Sequence, residues 1–177
     1  PRFGTHPIAW AAPAGEEEGF LFDVSAAQVA GNKMTLARRL GVKLAENWIV
    51  DDEGTPIDEE VEPPVDASRR LLPFGGVREQ GSHKGYGLAC VIDIMSNCLT
   101  GMGPGFVTGG GGSVFTAHDI AAFTELETYT RWAEEFCRGL RTTPPAPGHE
   151  RVLYPGLLGG ELAKHRAVEG IPYHPEV

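Results

Sequence analysis

Three glycines surround a His-Lys pair in the run GSHKGYGLA at residues 81–89, which opens directly into a long apolar segment. The spacing of the apolar residues predicts one helix over residues 85–99 that is covered on both faces. Helix N-termini offer unpaired backbone N–H groups and the positive end of the helix dipole. Lys84 adds a cation there, and Gly85 and Gly87 have no side chain to block close approach. The run therefore predicts either a binding site for an anionic ligand or, alternatively, a sharp turn into a core helix.

Composition limits the class of protein. The 177 residues are 41% hydrophobic and 22% charged, which predicts one globular domain over residues 1–177. A formal net charge of -9 and a pI near 5.1 argue against nucleic acid as a partner, because phosphate binding needs a basic surface. No apolar run approaches the roughly 20 residues that cross a bilayer, so no membrane partner is expected either.

Cysteine and histidine placement points to a reduced, metal-free protein. Three cysteines do not make a disulfide framework, and together with the lack of a signal-peptide pattern they predict the cytoplasm. Histidines outside the two motifs considered below are scattered without the spacing of metal ligands, so no metal site is predicted. These histidines are His118, His149, His165 and His174.

Short strands alternate with helices along the chain. The predicted strands are residues 8–12, 20–22, 113–117 and 151–154. The predicted helices are residues 26–40, 85–99, a segment after a cap at Asp119, and 158–168. An acidic connection over residues 51–68 is expected to be a solvated loop. Four side chains on helical stripes are expected in the core, namely Cys90, Cys98, Phe123 and Phe136.

Alternating strands and helices are compatible with a doubly wound parallel sheet, but the matching nucleotide motif is missing. The dinucleotide fingerprint needs Gly-x-Gly-x-x-Gly between a strand and a helix. Gly101, Gly103 and Gly105 alternate, yet Phe106 stands where the last glycine should be. No P-loop is present either. A nucleotide bound by this chain would therefore lie on a different scaffold.

Seven motifs follow one another over almost the whole chain. They are GTHPI at residues 4–8, FDVS at 22–25, WIVD at 48–51, LPFGG at 72–76, HKGYGLA at 83–89, YPG at 154–156 and GIP at 170–172. In order and spacing they resemble the malate/L-lactate dehydrogenase family of the non-Rossmann type, which includes ureidoglycolate and sulfolactate dehydrogenases.

The resemblance implies a fold and an activity. The expected fold is α/β (α+β), with a mixed, mainly antiparallel sheet wrapped by helices as a non-Rossmann nucleotide-binding domain. The implied activity is that of an NAD- or NADP-dependent oxidoreductase that interconverts a 2-hydroxy acid and a 2-oxo acid; some members of the family reduce a cyclic imine instead. Members are usually homodimers, so a homodimer is expected.

The resemblance also implies site residues. Substrate-binding positions are Thr5 and His6. Cofactor-binding positions are Asp23, Val24, Ser25, His83, Lys84, Gly85, Gly156 and Leu157. Plainer alternatives stay open at several of them: Asp23 beside Ser25 suits a helix N-cap, Lys84 a surface lysine, and His83 and His6 purely structural roles. A 2′-phosphate of NADP would need a nearby cation, for which the sequence offers Lys33, Arg38 and Arg39.

Three departures from the family pattern qualify these expectations. His6 stands where the family usually has asparagine, and Leu157 where it usually has glutamate. The family's catalytic histidine, with its substrate-binding serine and arginine, lies in an N-terminal region that precedes the matched motifs, so the catalytic residues are unknown here and the chain is expected to be a fragment that is inactive alone. The alternative is a non-catalytic binding or assembly module derived from the same scaffold.

Overall fold

The computed structural model describes residues 3–66 and 70–173. Its strands are β1 (Pro7–Ala12) and β2 (Phe20–Ser25), which form a two-stranded antiparallel sheet. Its α-helices are α1 (Gly31–Leu40), α2 (Ser82–Asp93), α3 (Gly105–Thr108), α4 (Leu126–Arg141) and α5 (Leu157–Glu169). Short 3₁₀ turns lie at Arg78–Gln80 and Ile120–Ala122, and a π-helical turn at Ile94–Cys98 extends α2. The mixed α/β class predicted from the sequence is confirmed.

The chain divides into two compact units, each assembled from two stretches of sequence. The first unit comprises Pro1–Ile8 and Val24–Thr116, and the second comprises Ala9–Asp23 and Ala117–Val177. The single domain expected from chain length stays a prediction.

Irregular backbone pairing and a small apolar core build the first unit. Met34, Leu44 and Ile49 are each at most 2% exposed. Isolated antiparallel bridges join Leu44 to Val61 and Ile49 to Leu71. The acidic connection expected to be a solvated loop is held by backbone hydrogen bonds on either side of its charged residues, and its residues 67 and 68 lie outside the described residues.

Helix α1 begins at Gly31, five residues later than the sequence pattern indicates. The alanines that fit the helical period are already used in extended pairing. The N–H of Ala26 donates to the carbonyl of Thr5, its own carbonyl accepts from Phe74, and Ala27 bridges to Pro73. Tertiary pairing here outweighs alanine's preference for helix.

The second unit packs around buried Cys137, Tyr154 and Leu157, with Ala14 beside them. The phenolic O–H of Tyr154 donates to the carbonyl of Glu18 at 2.8 Å. Residues 151–154 are extended but belong to no strand, so the strand predicted there is wrong. Packing of the Tyr154 side chain, and not pairing of the backbone, accounts for the strand-like pattern.

Residues 113–117 also belong to no strand, contrary to the sequence prediction. Their β-favouring side chains find no packing surface among the described residues: Phe115 is 93% exposed. Strand propensity reflects burial on a pleated surface more than an intrinsic backbone preference, and that surface is missing here.

Four side chains expected in the core do not lie there. Phe123 and Phe136 are exposed, Cys98 is exposed, and Cys90 is half-buried. The buried face of α4 is instead formed by Ala133, Cys137 and Leu140, which repeat at helical spacing one position away from Phe136. The helix predicted over residues 85–99 is also not covered on both faces, since Val91 and Leu99 are more than half exposed.

Removing the Tyr154 hydroxyl tests the packing of the second unit. We expect Tyr154→Phe to lower the free energy of unfolding by about 1 kcal/mol, because the carbonyl of half-buried Glu18 loses its donor while the ring stays in place. The matched control is Tyr173→Phe at an exposed ring, which should change stability by less than about 0.5 kcal/mol. Equal effects of the two substitutions in urea unfolding would contradict the assignment.

Candidate functional site

The start of α2 presents a cation at the positive end of a helix. Gly81 occupies the N-cap with a left-handed φ of 98°, and no side chain caps the helix. His83 and Lys84 are exposed in the first turn. The Lys84 side chain folds back along Gly81, within 3.8 Å of where a β-carbon on that residue would stand. A cation at a helix N-terminus opposes the dipole, so this arrangement suits an incoming anion.

Gly85 has a packing role. A β-carbon at Gly85 would stand 2.1 Å from the carbonyl oxygen of Phe74 and 2.6 Å from its nitrogen. The loop before α2 therefore rests directly on the helix, which only glycine permits. The side of Gly85 where a side chain would project is taken by Phe74, so a cofactor contact by Gly85 would have to come from its remaining backbone surface. That contact stays a prediction.

A small apolar cavity of about 160 Å³ lies beside α2. Tyr86 and Ala89 of the helix form one wall, Phe3 and Gly4 another, and Leu71 to Pro73 a third. The cavity lies in the first unit and starts one helical turn after His83 and Lys84. Its size and lining suit a small apolar group next to a charged one.

Thr5 and Ser25, predicted for substrate and cofactor respectively, are brought together. The hydroxyl of Ser25 donates to the carbonyl of Thr5 at 3.0 Å, and the N–H of Ala26 donates to the same carbonyl at 2.8 Å. Ser25 also accepts from the N–H of Ala27 at 3.0 Å. These bonds fix the turn that carries Thr5 against the end of β2.

Asp23 is exposed near the end of β2, with half-buried Val24 after it. The alternative that Asp23 caps the following helix is wrong, because α1 begins at Gly31 with Ala30 as its N-cap residue. An exposed carboxylate at a strand end remains available to accept from a sugar hydroxyl.

His6 faces inward from its turn. Its ring Nε2 lies 3.1 Å from Oδ1 of Asp93, and the side chain of Asn97 donates to the same oxygen at 2.7 Å. Burial raises the pKa of the Asp93 carboxyl, but hydrogen bonds from His6, from Asn97 and from the backbone N–H of Gly105 outweigh it and hold that pKa below its usual value. Asp93 is therefore a buried, ionised carboxylate.

The π-helical turn after Asp93 joins the same network. The N–H of Leu99 donates to the carbonyl of Ile94, the bond that defines the wide turn. Asn97, 6% exposed, accepts from the N–H of Gly112 through its side-chain oxygen at 2.5 Å. The glycine-rich segment after α3 is thus tied to α2 through one amide.

Gly156 and Leu157 begin α5 in the second unit. Gly156 has a φ of 104°, and a β-carbon there would stand 2.3 Å from the carbonyl oxygen of Gly19. Leu157 is 3% exposed and belongs to the core of that unit. Its side chain is thus committed to packing, and a cofactor contact at Leu157 would have to use the backbone.

Two of the three cations considered for a 2′-phosphate already have partners. Arg38 donates to the carbonyl of Pro64 at 2.6 Å, and the ammonium of Lys33 lies 5.6 Å from the centre of the Trp48 ring. Arg39 is exposed.

Histidines form no metal site in the part of the chain that the structure describes. His118 stacks on Trp10 with the ring centres 6.0 Å apart, and His174 lies outside the described residues. Over the same described ranges, no helix has the length and apolar character needed to cross a bilayer.

Asp93 and Asn97 were missed as site residues in the sequence. A signal was available, because Asp93 is the single charged residue between Gly85 and Met102. A carboxylate inside such an apolar helix must have partners when buried.

Comparison with known proteins gives the chain relatives over its full length. A family model described as malate/L-lactate dehydrogenase matches residues 1–177. Malate dehydrogenase of Pyrococcus horikoshii is 34% identical over 98% of this chain and 50% of its own length. Ureidoglycolate dehydrogenase (NAD(+)) of Escherichia coli O157:H7 is 30% identical over 96% of this chain and 48% of its own.

A solved structure gives the same result for the fold. The structure of malate dehydrogenase from Pyrococcus horikoshii OT3 superposes with a TM-score of 0.68 at 26% identity, over 96% of this chain and 47% of that one. The chain spans about half the length of the curated relatives it matches.

Proposed function

The chain belongs to the malate/L-lactate dehydrogenase family, and we propose that the whole protein is an NAD(P)-dependent oxidoreductase that interconverts a 2-hydroxy acid and a 2-oxo acid. The observation that carries this proposal is the family match over residues 1–177. It is supported by relatives named for malate and ureidoglycolate, two compounds that each carry a hydroxyl next to a carboxylate.

The first unit offers groups that suit a dinucleotide and an acid. Lys84, with the open N-terminus of α2, is a partner for an anionic phosphate. His83 stands beside it, and the apolar cavity begins one turn later. Thr5 and Ser25 offer hydroxyl groups on a turn fixed by hydrogen bonds. Val24 and Gly85 complete the cofactor contacts proposed for this unit. The cofactor contacts proposed at Asp23, Gly156 and Leu157 belong to the second unit.

A nicotinamide cofactor, when bound, supplies the hydride. The chain's own residues bind and orient the reactants, and the apolar cavity keeps water from part of the site. The proton donor is proposed to lie in the segment of the whole protein outside this chain. Arg39 is the cation proposed to contact the 2′-phosphate of NADP, because contacts of Lys33 and Arg38 with other groups are described above.

We propose the non-Rossmann scaffold on the basis of backbone pairing. The described sheet and the isolated bridges are antiparallel, whereas the doubly wound scaffold needs parallel strands and a Gly-x-Gly-x-x-Gly turn.

A homodimer in the cytoplasm is proposed as the assembly. Apolar side chains of α2, of the π-helical turn and of the residue after it are exposed, namely Val91, Ile94 and Leu99, and such a surface is typical of an interface. Part of that surface would be covered by a second copy. An acidic surface of net charge -9 argues against nucleic acid.

Replacing Lys84 tests the proposed cofactor site. We expect Lys84→Ala to raise the dissociation constant of the whole protein for NADH or NADPH about tenfold, because one charge-assisted contact to a phosphate is lost. Fluorescence energy transfer from tryptophan to the reduced nicotinamide measures the binding.

Lys43→Ala is the matched control, since Lys43 is an exposed lysine that lies after α1. It should leave the dissociation constant within twofold. If the whole protein binds neither reduced cofactor, the proposal fails and a non-catalytic binding or assembly module takes its place. If the two substitutions weaken binding equally, Lys84 is a surface lysine only.

A further inference from the structure

His6 links two separate stretches of the first unit. Its turn follows Phe3 and precedes β1, while its ring reaches Asp93 at the end of α2, 87 residues later in the chain. The Nε2 to Oδ1 distance is 3.1 Å. Asp93 is 5% exposed, whereas the His6 side chain is half-buried.

The backbone of His6 is held in an uncommon conformation. Its φ is 41°, in the left-handed region that favours glycine and, among other residues, asparagine. A residue with a β-carbon stays there only when its surroundings fix it. Here the fixing contacts are the bond to Asp93 on one side and the two bonds to the Thr5 carbonyl, from Ser25 and Ala26, on the other.

The groups that face the His6 ring come from three elements. Asp93 belongs to α2, and Tyr86 of the same helix reaches the ring through Phe3, whose ring centre is 5.0 Å from that of His6 and 5.5 Å from that of Tyr86. Phe106 of α3 packs on the other side of Phe3. Asn97 of the π-helical turn donates to the same Asp93 oxygen that the His6 ring contacts.

The Asp93 carboxylate depends on its hydrogen-bond partners. A buried carboxylate is costly unless hydrogen bonds accompany it. Its Oδ1 accepts from Asn97 and lies within hydrogen-bond distance of the His6 ring, so removing the ring takes away one of the contacts that hold the His6 turn against α2.

We propose that His6 is a positioning residue for the substrate: its contact with Asp93 sets the turn that carries Thr5 against Ser25. The inference rests on the proposed function through the assignment of Thr5 and Ser25 to the substrate and cofactor. Loss of the His6 ring weakens binding of the 2-oxo acid, while the chemical step at bound substrate is unaffected.

The test compares three forms of the whole protein at pH 7: wild type, His6→Asn and His6→Ala. Pyruvate and oxaloacetate serve as substrates, with NADH and NADPH as cofactors. Asparagine tolerates the left-handed φ and can donate to Asp93. Alanine removes the donor.

We expect His6→Ala to show a KM about tenfold above wild type, with the kcat of both staying within threefold of each other. His6→Asn should recover most of that loss. Equal KM values for wild type and His6→Ala would overturn the proposal, as would an effect confined to kcat or a His6→Asn variant no better than His6→Ala.

A second measurement separates this proposal from the proposed function. The midpoint of thermal unfolding is recorded for His6→Ala, Asp93→Ala and the double variant at pH 6. If the pair holds the turn, the double variant melts no lower than Asp93→Ala alone. Additive losses overturn the pairing, with or without turnover. Non-additive losses in a protein that reduces no 2-oxo acid would leave the pairing intact, refute the positioning role with these acids, and place the failure in the proposed function.

Discussion

Alanine in place of Gly85 is expected to lower the free energy of unfolding by about 3 kcal/mol. The added β-carbon would stand 2.1 Å from the Phe74 carbonyl oxygen and 2.7 Å from the Phe74 β-carbon, both well inside contact distance. Two of the three nearest atoms are backbone, so relief requires the helix and the loop to separate. Urea unfolding followed by circular dichroism measures the loss.

Gly87→Ala is the matched control for this substitution. Gly87 lies two residues further along α2, is exposed, and has no atom within 4 Å of a β-carbon built on it. Alanine there should stabilise the protein by about 0.5 to 1 kcal/mol, because it restricts the unfolded chain and favours helix. A Gly85→Ala protein as stable as Gly87→Ala would show that the helix does not rest on Phe74.

Asp93→Ala is expected to lower the free energy of unfolding by about 3–5 kcal/mol at pH 7. The substitution leaves the ring of His6 and the side-chain amide of Asn97 without the acceptor they share, in a part of the first unit where Asp93 itself is 5% exposed. Unpaired buried donors account for most of the loss. Thermal or urea unfolding at fixed pH gives the value.

Asp93→Asn isolates the charge, and its effect should depend on pH. The pKa of the Asp93 carboxyl is lowered in the folded protein, so its ionised form contributes stability above the unfolded pKa near 3.9 and loses it as pH falls through the lower folded value. The stability difference between wild type and Asp93→Asn should therefore be largest near pH 7 and shrink towards pH 3. A difference that is constant over this range would contradict an ionised Asp93.

Periodicity predicted the helices of this chain better than its strands or core. Helix α5 lies within one residue, at each end, of where apolar spacing places it. The cap predicted at Asp119 begins a separate 3₁₀ turn instead, and α4 begins only at Leu126. The strands predicted at 113–117 and 151–154 were wrong because a strand needs a neighbouring strand, and the pattern within one segment does not specify that neighbour. The burial predicted for Phe136 was wrong for a related reason: a helical stripe shows which residues share a face, but not which face is buried.

Residues of the candidate site were predicted as motifs, whereas their contacts were not. The HKGYG motif located the start of α2, yet Gly85 proved to serve packing on Phe74. The pairing of His6 with Asp93 spans 87 residues, and local spacing carries no information about such a contact. An isolated charge in an apolar helix was the one indication that a partner existed.

The wide turn at Ile94–Cys98 also decides how the outer surface of its helix is laid out. An α-helix rotates by about 100° per residue, so Val91 and Leu99 would stand about 80° apart around a regular axis. Absorbing one extra residue in a wide turn cancels about 100° of rotation and brings them within about 20° of each other. The apolar side chains of Val91 and Leu99 therefore lie in one line along the helix axis. A deletion of one residue there would split that line in two.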